Sequence, residues 1–183
     1  MKKFYTVFLL LIISAFAAVY FFKIGWYPLA IANSELIWGW QLDKETQSAS
    51  AYYNQAIKTY NIPGVIEEDL KRASLERIID KIIISNSLKS LEGDKAEGLV
   101  NAKIDKYLEN NKLESAASAL FNLSFKDFIE IILIPQAEKE LIEEKVKAEN
   151  RDFNNWLRIQ RNQIKVYLFI KGFKWTPDGL MRD

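Results

Sequence analysis

Two tight acidic groups, Glu67-Glu68-Asp69 and Glu143-Glu144, come nearest in type and spacing to catalytic machinery in this chain. Paired carboxylates can carry glycoside hydrolysis, one as acid and the other as base or nucleophile. That chemistry needs one carboxyl whose pKa is raised by burial, and neither group has apolar surroundings that would raise it. The first group instead suits the positive end of a helix, and the second a solvated helix face. Histidine and cysteine are both absent. Ser-His-Asp and Cys-His arrangements are therefore excluded, as are disulfides, and the usual zinc and iron sites lose their main donors. No catalytic residue, metal site or cofactor is expected.

The other candidates are aromatic. Tyr52 and Tyr53 are neighbours on a predicted helix, so their side chains leave it about 100° apart and at most one faces the same core. With Tyr60, Phe121 and Phe125 they could line a shallow apolar surface that contacts unfolded client segments. Phe153 and Trp156 fit core positions better.

The elements that must position these residues are mostly helical. Glu35-Leu36-Ile37-Trp38-Gly39-Trp40 reads as a short strand. From Asp43, a plausible N-cap, apolar spacing at Ala49, Tyr52, Tyr53, Ala56, Ile57 and Tyr60 predicts a helix that Asn61-Ile62-Pro63-Gly64 ends. The segment from Val65 to Gly93 reads as a long helix, opened by its three acids and striped by Leu70, Leu75, Ile78, Ile79, Ile82 and Ile83. Ile84 lies off that stripe, so this helix is expected to be the spine, with contacts on more than one side. An amphipathic helix follows at about 94 to 110. Ser124 then opens another as N-cap, with Asp127 three residues on, and Pro135 predicts a kink within it. After Asn150 a helix carrying Phe153, Trp156, Leu157 and Ile164 leads to a second strand. Val166 to Lys171 is expected to pair with Glu35 to Trp40 in a two-stranded element.

Residues 4–22 form an uncharged run behind Met1-Lys2-Lys3. As a helix the run would measure roughly 28 Å, about the thickness of a bilayer's hydrocarbon core. It is longer than the apolar part of a cleaved signal peptide, which favours a retained anchor. Lys2 and Lys3 outweigh Lys23, which places the N-terminus in the cytoplasm, and Trp26 with Tyr27 would stand in the interfacial belt. The alternative is secretion after cleavage near Ala32, since Ala30-Ile31-Ala32 suits a signal peptidase. The net charge is +1, and the first 23 residues hold three lysines and no acid. The rest is slightly acidic, without the basic footprint that nucleic acid requires.

In order, the elements resemble the SurA-type N-terminal chaperone domain of parvulin-associated proteins, the group that includes PrsA and PpiD. The likeness rests on LERIIDKIIISNSL, FNLSFKDFIEIILIPQAEKELI and FNNWLRIQRNQIKVYLFI, and covers about residues 34 to 171. It implies a helical chaperone domain at 34–171; with the uncharged run read as an anchor at 1–23, this leaves a linker at 24–33 and a tail at 172–183. In full-length isomerases of this group a parvulin domain separates the proline-kinked helix from the returning one. Here only residues 146–152 stand there. The resemblance thus implies a single-pass extracytoplasmic module that binds unfolded or secreted polypeptides without isomerase activity, beside a separate isomerase or envelope partner. A non-catalytic subunit docking one dedicated envelope or secretion partner is the alternative.

Overall fold

The computed structural model describes residue 14 and residues 19–21, 23–61, 63–109 and 113–183. Most of the run 4–22 lies outside the described residues, and with it most of the expected anchor. Among the described residues no helix is long and apolar enough to cross a membrane.

The chain is mostly helical with small antiparallel sheets. β1 (Pro28–Ala32) and β2 (Glu35–Trp38) form a hairpin around Asn33 and Ser34, both at positive φ. Two such residues make the turn whose twist matches paired strands. β3 (Val166–Leu168) pairs with the other side of β1, so the sheet order is β2-β1-β3. This corrects two expectations. The presumed linker 24–33 contains the central strand, and β3 joins β1 instead of pairing with β2. Pro28 opens the strand, where its missing N–H is tolerated. Ala30 and Ala32 face the core fully buried, and their small size made the strand hard to recognise.

α1 (Gly39–Tyr60) starts four residues before Asp43. The Gln41 side chain accepts from the Trp38 N–H at 2.7 Å, and the Gly39 and Trp40 N–H groups donate to Tyr27 and Gly25 carbonyls. The preceding segment thus satisfies the orphan donors of the first turn. α2 (Glu67–Glu92) is the spine. Leu75, Ile78, Ile79 and Ile83 pack with β1, β2 and the C-terminal hairpin, whereas Ile84 and Leu88 enter a second cluster made by the later helices. Those are α3 (Lys95–Leu108), α4 (Leu113–Phe121), the single turn α5 (Phe125–Phe128), α6 (Ile134–Ala148) and α7 (Phe153–Gln163).

Between α5 and α6 the expected simple kink is a π-helical segment, Ile129–Leu133, with Pro135 in the first turn of α6. Ile134 donates to Ile129, five residues back. Pro135 has no N–H to offer the Ile131 carbonyl four residues before it. Lys81 of α2 supplies the missing donor, its Nζ lying 2.8 Å from that oxygen. The same Nζ is 2.6 Å from the Glu45 carboxylate on α1, which is 5 % exposed and also meets Arg77 at 3.1 Å. Burial holds the Lys81 ammonium below its ordinary pKa against the pull of Glu45.

The presumed tail is a docked hairpin of β4 (Phe173–Thr176) and β5 (Gly179–Arg182), turning at Pro177-Asp178. Leu180 enters the sheet-side core, and its N–H donates to Glu76 of α2 at 3.2 Å. Gly179 has φ +109, and a Cβ there would stand 2.5 Å from the Glu76 carboxylate. Arg161 of α7 bridges Glu76 and Asp80, while its carbonyl accepts from the Trp175 indole. The docking of this hairpin depends on α2 and α7.

Replacing Lys81 by alanine leaves a buried carboxylate and a partly buried carbonyl without their main donor. The expected loss is about 3 kcal/mol, towards the lower end for breaking a buried pair. Arg77→Ala, at a half-exposed guanidinium, should cost less than about 1 kcal/mol. Urea unfolding followed by circular dichroism measures both, and equal losses would show that Lys81 has no special place.

Candidate polypeptide-binding surface

The seam between α1 and the α4–α5–π segment brings most of the aromatic candidates together. Tyr52 of α1 stacks on Phe121 of α4 with centroids 5.3 Å apart and planes 14° from parallel. Tyr53 meets Tyr52 edge-on at 6.2 Å, and Phe121 leans at 5.3 Å on Phe128, which is buried. A ladder therefore runs from the helical core to solvent, with Tyr52 47 % and Tyr53 40 % exposed. Asn122 in the left-handed conformation ends α4, and the Ser124 hydroxyl caps α5 by accepting from the Asp127 N–H at 3.1 Å. These two local devices set where Phe121 and Phe128 stand.

Phe125 does not join the ladder among the described contacts; it packs partly buried against the helical core. Tyr60 stands apart at the end of α1 and is 74 % exposed. Phe153 and Trp156 stack on each other, Trp156 within the core.

Farther along the seam a groove of about 270 Å³ opens between β2, α1, α2 and the π segment. Leu36, Trp40, Ile82 and Ile131 supply apolar walls, with Lys44 and Glu130 among its polar residues. Trp40 and Leu36 were not recognised as surface residues from sequence. Alternation in Glu35-Leu36-Ile37-Trp38 was the available signal, since Ile37 is buried and Leu36 exposed. Trp40 continues the strand-like composition in sequence but stands in the first turn of α1.

Between groove and ladder, Lys44 of α1 bridges to Asp127 of α5 at 2.5 Å. That hydrogen bond, and then the one with Ser124, hold the Asp127 carboxyl below its ordinary range. From Trp40 to Tyr52 the helix rises about 18 Å. An extended peptide covers that distance with about five or six residues.

The acidic groups are paired with cations. Glu67 meets Lys71, Glu68 and Asp69 meet Arg182, Glu143 meets Lys139 and Glu144 meets Lys103. The hydrogen bond from Lys71 lowers the Glu67 pKa, the opposite of what a general acid needs. Burial raises the carboxyls of Asp80 and Glu138, but Arg161 holds Asp80 and the Ser85 hydroxyl donates to Glu138. Among the described residues no cluster of acidic side chains is placed to hold a metal ion. Comparison with known proteins gives no relative: no family model, no curated protein and no solved structure matches the chain.

The Asp127 carboxyl is lowered in the folded state, so its stabilisation is complete above the ordinary value of 3.8 and is lost as pH falls through the folded value. Asp127→Asn should therefore lower the urea midpoint at neutral pH and flatten the loss of stability between about pH 4 and 2. An unchanged acid limb in the variant would show that Lys44 and Asp127 do not act as a pair.

Proposed function

We propose that this chain is a membrane-anchored extracytoplasmic module that holds unfolded or extended polypeptide segments and carries no isomerase activity. The observation behind the reading is the seam of α1, where Trp40, Tyr52 and Tyr53 expose aromatic faces beside an apolar groove. Exposed apolar surface rimmed by polar groups marks sites of polypeptide contact. Such contacts are weak singly, and they suit reversible holding without a nucleotide cycle.

The likeness to SurA-type chaperone domains supports the same reading. That resemblance rests on the sequence order over residues 34–171: a strand, a helix, a long helix, an amphipathic helix, a helix opened by Ser124 and broken at Pro135, and a returning helix followed by a strand. Residues 149–152 alone join α6 to α7, leaving no room for an inserted isomerase domain.

Retention of the N-terminal segment is favoured by β1. Cleavage after Ala32 would remove the strand to which both β2 and β3 are bonded, together with the buried Ala30 and Ala32. An N-terminal anchor with cytoplasmic lysines would place the domain outside the cytoplasm.

The test is protection of chemically unfolded, unrelated proteins diluted from denaturant in the presence of the full chain in lipid nanodiscs. Light scattering should fall in proportion to the module added. A Trp40→Ala/Tyr52→Ala/Tyr53→Ala variant should need roughly ten times more protein, about 1.4 kcal/mol of binding, while its circular dichroism is unchanged. Protection of no client would overturn the reading in favour of a subunit that docks one dedicated envelope partner.

A further inference from the structure

The junction between the N-terminal segment and the first strand is built as a tight knuckle. Residues 19–21 and 23 are helical, and Ile24 donates to Tyr20 and Trp26 to Phe21. At Gly25 the chain takes φ +75, and its carbonyl accepts from the Trp40 N–H at 3.0 Å. A Cβ on Gly25 would lie 2.5 Å from the Trp40 nitrogen. One on Gly39 would lie 2.6 Å from the Tyr27 ring. Both positions therefore need glycine, because the backbones of residue 25 and the start of α1 meet with no space for a side chain.

Around this knuckle the apolar side chains face outward. Val19, Tyr20, Phe21 and Ile24 are all exposed. Trp26 is 58 % exposed and lies between Phe21 at 5.7 Å and the half-buried Trp38 at 6.3 Å, tilted against both rings. Lys23 is exposed beside them. Directly upstream, residues 4–18 continue the uncharged run. Tryptophan with a flanking lysine is the composition of a membrane–water interface, where an indole buries its ring and keeps its N–H hydrated.

We propose that this knuckle seats the domain against the bilayer surface, with Trp26 and Trp38 in the headgroup layer and the Gly25–Trp40 contact fixing the domain's attitude. The inference rests on the anchored reading given above. It adds that the junction at Gly25 is rigid and that lipid is the partner of the Trp26–Trp38 face. The groove beside Leu36 and Trp40 then opens close to the membrane, because Leu36 and Trp38 share one side of β2.

The experiment reconstitutes the full chain into vesicles of phosphatidylcholine and phosphatidylglycerol, washes them with carbonate, and measures tryptophan quenching by lipids brominated near the headgroup. The wild-type chain should stay in the vesicles and be quenched. Trp26→Phe and Trp38→Phe should each lower the quenched fraction of the five tryptophans. Gly25→Ala should lower it as well while the chain remains resistant to the wash, since the added Cβ forces the knuckle apart. A retained chain whose quenching is unaffected by all three substitutions overturns the seating alone. Release by carbonate overturns the anchored reading and the seating with it.

Discussion

A missing hydrogen-bond donor organises this domain. Pro135 cannot serve the Ile131 carbonyl, and the helix widens into a π segment just before it. Lys81 reaches across from the spine helix to fill the vacancy and is itself neutralised by Glu45 from α1. Three elements distant in sequence are thus held by one ammonium group. A lysine buried to this degree is costly unless every bond is made. The geometry of the seam follows from that requirement. Lys44 with Asp127 and Tyr52 with Phe121 are further contacts across the same α1 boundary.

The spine α2 divides its side chains between two cores, one against the sheet and one among the later helices. A single helix facing two ways cannot show one clean stripe, which is why Ile84 fell outside the pattern of its neighbours. The C-terminal hairpin closes the sheet-side core through Leu180, and Arg161 ties it to Glu76 and Asp80. The β1–β2 hairpin and the C-terminal hairpin therefore pack on the same helix. The N-terminal strand and the last two strands are parts of one body, although each is short and weakly patterned.

The proposed functional surface and the proposed membrane-facing surface both begin at β2 and the first turn of α1. On this reading apolar exposure has two roles on adjoining faces: indoles toward lipid at Trp26 and Trp38, and a groove with tyrosines toward polypeptide along α1. An arrangement of this kind would keep a held segment near the membrane. It requires no acid–base residue.

Helix content, the long spine, the Ser124 cap, the break at Pro135 and the lack of histidine and cysteine chemistry were all present in local sequence. Each depends on periodicity, on capping by a neighbouring residue or on composition. The candidate surface was legible in part: Tyr52, Tyr53, Tyr60, Phe121 and Phe125 could be named as candidates, but not that Tyr52, Tyr53 and Phe121 would touch while Phe125 packs on the core and Tyr60 stands apart. Tertiary structure alone decided that Pro28–Ala32 is the central strand, that β3 pairs with it, that residues 173–182 form a docked hairpin and that Trp40 belongs to a helix. Those outcomes depend on partners more than a hundred residues away, as with β1 and β3, or on small residues such as Ala30 and Ala32. The pattern of such residues carries almost no information until another element is packed against them.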